Sequence, residues 1–325
     1  MSKIARAIFV ATTIFAGAIA VPSIAADYPA RPVRFIVPAA PGGGPDVINR
    51  LIAIELTRQM GKQFIIDNRP GASGSIGTEI IARAAPDGYT IGNGNSTTLV
   101  TNRFFLSKLP YDSDRDIQPI AQHVLTPNIL AVALSLPVKS VQDLTEHARK
   151  NPGKLLFASS GNGSSAHLSG ELFKRMTATQ VTHLPYKAAQ QGVTDMIGGQ
   201  VHFMFDNVSS IGTHVRSGRV RGIAISTAKR SSAYPELPTV AESGVPNFEV
   251  TAWGGIVAPT GVARNIVNRL NSEINKALAT STVKEKVDVL GNVLTSGTPE
   301  EFAAFIKREV TKWAEVIKGA NIKAD

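Results

Sequence analysis

Two loops in this chain combine glycines, hydroxyls and helix-opening amides in a pattern suited to holding an anion. The first, Pro38-Ala-Ala-Pro-Gly-Gly-Gly-Pro-Asp46, lies between an apolar β-branched run and an amphipathic stretch. Glycine lets a ligand approach the backbone closely. The amides that open the following helix present unpaired N–H groups and positive dipole. Ala39, Ala40, Gly42 and Gly43 are the candidate contacts, and Asp46 is placed to cap the helix or order its first turn. The second loop, Ala158-Ser-Ser-Gly-Asn-Gly-Ser-Ser-Ala-His167, repeats the strand-to-helix setting. Ser159, Ser160, Gly163, Ser164 and Ser165 supply hydroxyls and amides with almost no charge, which suits a carboxylate. Neither loop holds an arginine, so the grip would come from amides, hydroxyls and water instead of a bidentate guanidinium.

Three further residues join the candidates. Ser96 and Thr97 follow the third predicted strand, and Asp206 ends a strand in the middle of the chain, as a helix cap or a cleft acceptor. Enzymatic signatures are missing. Gly71-Ala-Ser-Gly-Ser-Ile-Gly77 misses the register of a nucleophile elbow. Phosphate-loop and zinc-helix motifs are absent, and no two histidines stand four apart. Gly161-Asn-Gly-Ser-Ser-Ala166 formally fits a dinucleotide fingerprint, but the next strand ends in His183-Leu-Pro185 without the ribose-binding acid. An exported serine hydrolase using Ser164 or Ser165 with His167 is the rival reading, weakened by the missing elbow and by how close these residues lie in sequence. No catalytic residue, metal or cofactor is expected.

The surrounding pattern is that of an α/β protein, with short β-branched runs alternating with amphipathic stretches. Strands are predicted at 33–38, 63–67 and 89–91, then 129–134, 155–158, 181–184, 201–205 and 221–225. Helices are predicted at 47–60, 75–83, 141–150, 166–176, 190–197, 208–217, 263–279, 282–290 and 299–318. Two segments read as crossings between lobes: 116–121, followed by a break at Pro127, and 246–255, leading into a strand at 256–257. Lobe one would then comprise 27–124 plus 250–325 and lobe two 125–249, with a ligand cleft between them.

Residues 1–26 read as a secretory signal peptide. Lys3 and Arg6 precede a short apolar stretch that ends in Val21-Pro-Ser-Ile-Ala-Ala26, with cleavage predicted after Ala25 or Ala26. Removing those two cations from 34 leaves 32 basic against 25 acidic residues. The basic residues are scattered and aromatics make up 6%, without the interleaving that nucleic-acid binding needs. Hydrophobic content of 43% with 18% charged residues supports a real core. With no cysteine there is neither a disulfide nor a lipid-modified N-terminus, so an exported, freely diffusing protein is expected.

Several motifs in register carry a family resemblance. They include Tyr28-Pro-x-Arg-Pro-Val-Arg-Phe-Ile-Val-Pro38, Asn68-Arg-Pro-Gly-Ala-x-Gly-x-Ile-Gly77, Pro86-Asp-Gly-Tyr-Thr90, Leu109-Pro-Tyr-Asp112, His183-x-Pro-Tyr-Lys187 and Leu237-Pro-Thr-Val-Ala-Glu-Ser-Gly-Val-Pro246. Together with the two loops and Trp253-Gly-Gly-Ile-x-Ala-Pro259, they resemble the periplasmic solute-binding receptors of tripartite tricarboxylate transporters, the Bug receptors. The resemblance spans the mature chain. It implies a two-lobed type II periplasmic-binding-protein-like fold, closure around an organic carboxylate, delivery to membrane permease subunits, and no catalysis. It also implies that the two loops grip the carboxylate partly through water, with Ser96, Thr97 and Asp206 lining the rest. Two departures stand out: Ala39, where relatives are often aromatic, would leave room for a bulkier ligand, and Pro45, where they carry Thr or Ser, donates no amide hydrogen.

Overall fold

The computed structural model describes residues 28–320; the predicted leader lies outside the described residues. The first unit shows how local sequence sets the architecture. β1 (Val33–Val37) is an apolar run with Val33, Phe35, Ile36 and Val37 fully buried, as a central parallel strand requires. The glycine loop then feeds α1 (Gly44–Met60), which carries Pro45 in its first turn and stops at Gly61, where φ is +69°. One face of α1, with Ile48, Leu51, Ile52 and Leu56, packs on the sheet against α8 (Arg264–Ala279). β2 (Phe64–Asn68) and β3 (Thr90–Asn95) flank β1 in parallel.

Among the described residues ten strands are linked in the order β2-β1-β3-β9-β4-β7-β5-β6, with β8 and β10 (Val293–Leu294) also on β4. The middle of the chain contributes β5 (Leu156–Ser159), β6 (Thr182–Pro185), β7 (Phe203–Asn207) and β8 (Arg221–Ile225). It also contributes α4 (Val141–Lys150), α5 (Ser165–Thr177), α6 (Ala189–Ile197) and α7 (Val208–Arg216). These elements follow the predicted positions closely.

β4 (Ile117–Val132) departs from expectation. It runs unbroken for 16 residues through Pro119 and Pro127, where a break was predicted. The reason lies in its partners. From Ile117 to Pro127 it pairs with β9 (Thr251–Pro259), and from Asn128 onward with β7 and β8. Pro127 falls where one ladder gives way to the other, a place that tolerates a missing N–H. β9 likewise begins at Thr251, so residues 251–255 are strand and not connection. The Ser226 hydroxyl ties the two long strands together, accepting from the Asn128 N–H at 2.9 Å and donating to the Val250 carbonyl at 2.5 Å. At the C-terminus, α10 (Pro299–Ala320) covers β9, with Trp253 edge-on to Phe302 and Phe305. Among the described residues no helix is long and apolar enough to cross a membrane.

Candidate functional site

Four helical N-termini meet at one cavity of about 160 Å³, close to the ~150 Å³ engineered cavity that admits a benzene ring. α1 brings Gly44 and Pro45, and α5 brings Ser164 and Ser165. α7 brings Asn207 and Ser209. The fourth is the helical run from Thr97 to Phe105, π-helical over Thr97–Thr101 and then α3 (Asn102–Phe105), which brings Ser96 and Thr97. Among the described residues no Lys, Arg, Asp or Glu lines the cavity. Positive potential therefore comes from backbone dipoles and helix-opening amides, of which those of Thr97 and Thr98 are shared with Asn95 Oδ1 at 3.0 and 2.9 Å.

Of the predicted residues, Ser96, Thr97, Ser160, Ser164 and Ser165 stand at the wall. Ala39, Ala40, Gly42, Gly43, Asp46, Ser159, Gly163 and Asp206 are not among the lining residues. Ala39 packs against the core beneath α1 and adds no space to the cavity. Asp46 is tied into its own loop. Its Oδ2 accepts from the Gly42 N–H at 2.8 Å and Arg50 Nε at 2.9 Å, and its Oδ1 from Asn68 Nδ2 at 2.8 Å. Asn68 also donates to the Ala39 carbonyl, so β2, the loop and α1 form one clasp. Burial pushes the Asp46 carboxyl up, but these donors outweigh it and hold it below the ordinary carboxylate value.

The second loop is held by hydroxyls and imidazoles. Ser159 Oγ lies 2.7 Å from His183 Nε2, and His183 stacks on His167 with ring centroids 4.0 Å apart. His167 Nδ1 accepts the Gly163 N–H at 3.1 Å. Burial first, then the neighbouring His167 and Lys174, push His183 down to about 3, so its ring is neutral. The Ser164 hydroxyl caps α5, accepting the His167 N–H at 3.2 Å and donating to the Gly161 carbonyl at 2.7 Å. Its proton is thus committed within the loop. The Ser165 hydroxyl sits 3.4 Å from both Asn128 Oδ1 and Asn207 Oδ1, a looser position that leaves it free to turn. Asp206, one residue before Asn207, is buried, and burial pushes its carboxyl up to about 6; among the described residues its Oδ2 has no hydrogen-bond partner.

Several wall residues escaped the sequence reading: Asn93, His123, Thr126, Asn207, Trp253 and Asn292. Asn207 was within reach, as the helix-opening neighbour of Asp206. Asn93 left a faint trace in the polar Gly92-Asn-Gly-Asn95 run inside a strand. His123 left none, because a register shift in β4 between Gln122 and Val124 turns it toward the cavity. Among the described residues no cluster of His, Asp and Glu could hold a metal ion.

Two α/β lobes joined by shared long strands, with anion-ready helix ends meeting between them, define a periplasmic-binding-protein-like receptor. Residues 48–322 match the tripartite tricarboxylate transporter family receptor, and the chain belongs to that family. It is 36% identical over 319 residues to protein BugT of Bordetella pertussis, covering 97% of each chain. It is similar to an R. palustris protein solved with adipate, with a TM-score of 0.85, 37% identity, and coverage of 92% of this chain and 100% of that one. It is also similar to MatC from Rhodopseudomonas palustris with bound malate, with a TM-score of 0.79, 30% identity, and coverage of 89% and 100%. The chain is accordingly a solute-binding receptor and not an enzyme.

Proposed function

We propose that this receptor captures a small organic carboxylate in the periplasm and hands it, as a monomer without cofactor, to the membrane permease subunits of a tripartite tricarboxylate transporter. The observation that carries the reading is the convergence of four helical N-termini on a cavity lined without a charged side chain. Such a site stabilises an anion by amides and dipole and suits a carboxylate better than a multiply charged phosphate. Two similar receptors are described with adipate and malate, small acids of this class. The signal-like N-terminus supports export.

The ligand sits between lobe one (27–124 plus 250–325) and lobe two (125–249), a division supported by the change of β4 partners after Pro127 and the return of the chain along β9 from Thr251. Ser96, Thr97, Ser160 and Ser165 contact it, with Ser164 shaping the loop. Ala39, Ala40, Gly42, Gly43, Asp46, Ser159, Gly163 and Asp206 act from behind the wall. A thermal-shift screen over organic acids tests the reading. Ligand at a hundredfold excess over its dissociation constant should stabilise the fold by about 2.7 kcal/mol. A flat response to every carboxylate would overturn it.

A further inference from the structure

A chain of buried amides in the cavity floor determines which way one of its side chains faces. Asn49 is fully buried, and its Nδ2 donates to the Pro45 carbonyl at 2.7 Å and to Asn93 Oδ1 at 3.0 Å. A carbonyl only accepts, so Pro45 sets the orientation of Asn49, and the Asn49 NH₂ in turn requires Asn93 to present its oxygen. Asn93 Oδ1 also lies 3.1 Å from His123 Nε2, which must therefore carry the proton. Both donors converge on one oxygen. The Asn93 NH₂ is left over on a residue that lines the cavity and is 1% exposed, and no protein acceptor among the described residues takes it.

The surroundings are shaped around this arrangement. His123 enters the floor at the β4 register shift opposite Gly254 and Gly255, and a Cβ on Gly254 would come within 2.8 Å of the imidazole. A bulge and a glycine thus make room for a polar pair in an otherwise apolar strand layer.

We propose that Asn93 is a specificity residue of this receptor: its NH₂ donates to a second oxygen on the ligand, so acids with an oxygen acceptor at each end are preferred over monocarboxylates with an apolar tail. The inference rests on the carboxylate-receptor reading. A ligand carboxylate takes its donors from the helix-opening amides, and the Asn93 NH₂ then calls for a further oxygen, in whose place an apolar tail would bury a donor without a partner. His123 and Asn49 are positioning residues that act through Asn93.

Titration calorimetry on the full chain with pentanoate, glutarate and 5-aminopentanoate, and with the six-carbon trio, tests this. The diacid should bind the parent about tenfold or more tightly than the monoacid. Asn93→Asp keeps an acceptor for both Asn49 and His123 but turns an acceptor into the cavity in place of the donor. The variant should lose about tenfold or more in diacid affinity. It should also gain affinity for the amino acid, a gain that unfolding cannot imitate. A diacid-to-monoacid ratio near one in the parent overturns the proposal even if the variant does not fold. A ratio that survives Asn93→Asp also overturns it, with the receptor reading intact. If no acid of either kind binds the parent, this inference is overturned, and the receptor reading falls with it only where the wider carboxylate screen is also flat.

Discussion

The two loops that flank the cavity open matching strand-to-helix units, yet opposite chemistry holds them. In the first, an ionised Asp46 gathers the Gly42 amide, Arg50 and Asn68. In the second, Ser159, the neutral His183, His167 and Ser164 interlock with the loop backbone, and Thr101 from the facing helical run donates to the Gly163 carbonyl at 2.9 Å. Both solutions keep helix amides aimed at the ligand without placing a charge on the wall.

They differ in their response to acid. Asp46 titrates below its ordinary value, so its clasp is complete above about pH 4 and is lost as pH falls through the folded-state value. His183 is held neutral down to about 3, while in the unfolded chain it takes up a proton near pH 6.5. Its contribution is therefore complete above pH 6.5 and declines as pH falls from there toward 3. The second loop weakens first.

Substitutions can break this contrast. Asp46→Ala should have the largest effect, because it strands three donors around a buried site. A loss of about 3 kcal/mol is expected in urea unfolding, with ligand affinity at least about tenfold weaker by calorimetry. An unchanged unfolding midpoint would show that the clasp does not hold the loop. His183→Phe keeps the stacking on Phe157 and His167 but removes the titrating group. Between pH 6.5 and 4 its stability should fall less steeply than the parent's, by up to about 1 kcal/mol per pH unit. The buried His123, pushed down to about 3 by burial, keeps part of the slope in both proteins. Identical slopes would remove His183 from the account.

The serines sharpen the contrast at the smallest scale. Ser164→Ala loses a helix cap and should cost about 1 kcal/mol of stability while leaving affinity within about threefold. Ser165→Ala should do the reverse, with stability retained and affinity down by about tenfold. Equal effects of the two changes on binding would mean that the Ser164 hydroxyl leaves the Gly161 carbonyl to reach the ligand.

Much of this architecture was legible before any coordinates. Residue order determined the strand-loop-helix units, because burial of β-branched runs and helical periodicity are local properties. The stop of α1 at Gly61, the serine cap of α5 and the glycine turns at Gly42 and Gly163 are local in the same sense. The family resemblance likewise lay in short motifs that can be read in order. Tertiary structure decided what depends on partners far away in the chain. β4 continues through Pro127 because β9, β7 and β8 supply its ladders from more than 70 residues downstream. Asp46 turns into its loop because Asn68, brought alongside by β2, meets it there. Asn93 becomes a donor to the cavity only because Asn49 and His123, 44 and 30 residues away, both claim its oxygen. A residue's type sets which hydrogen bonds it can make, but its direction is set by the partners the fold brings to it.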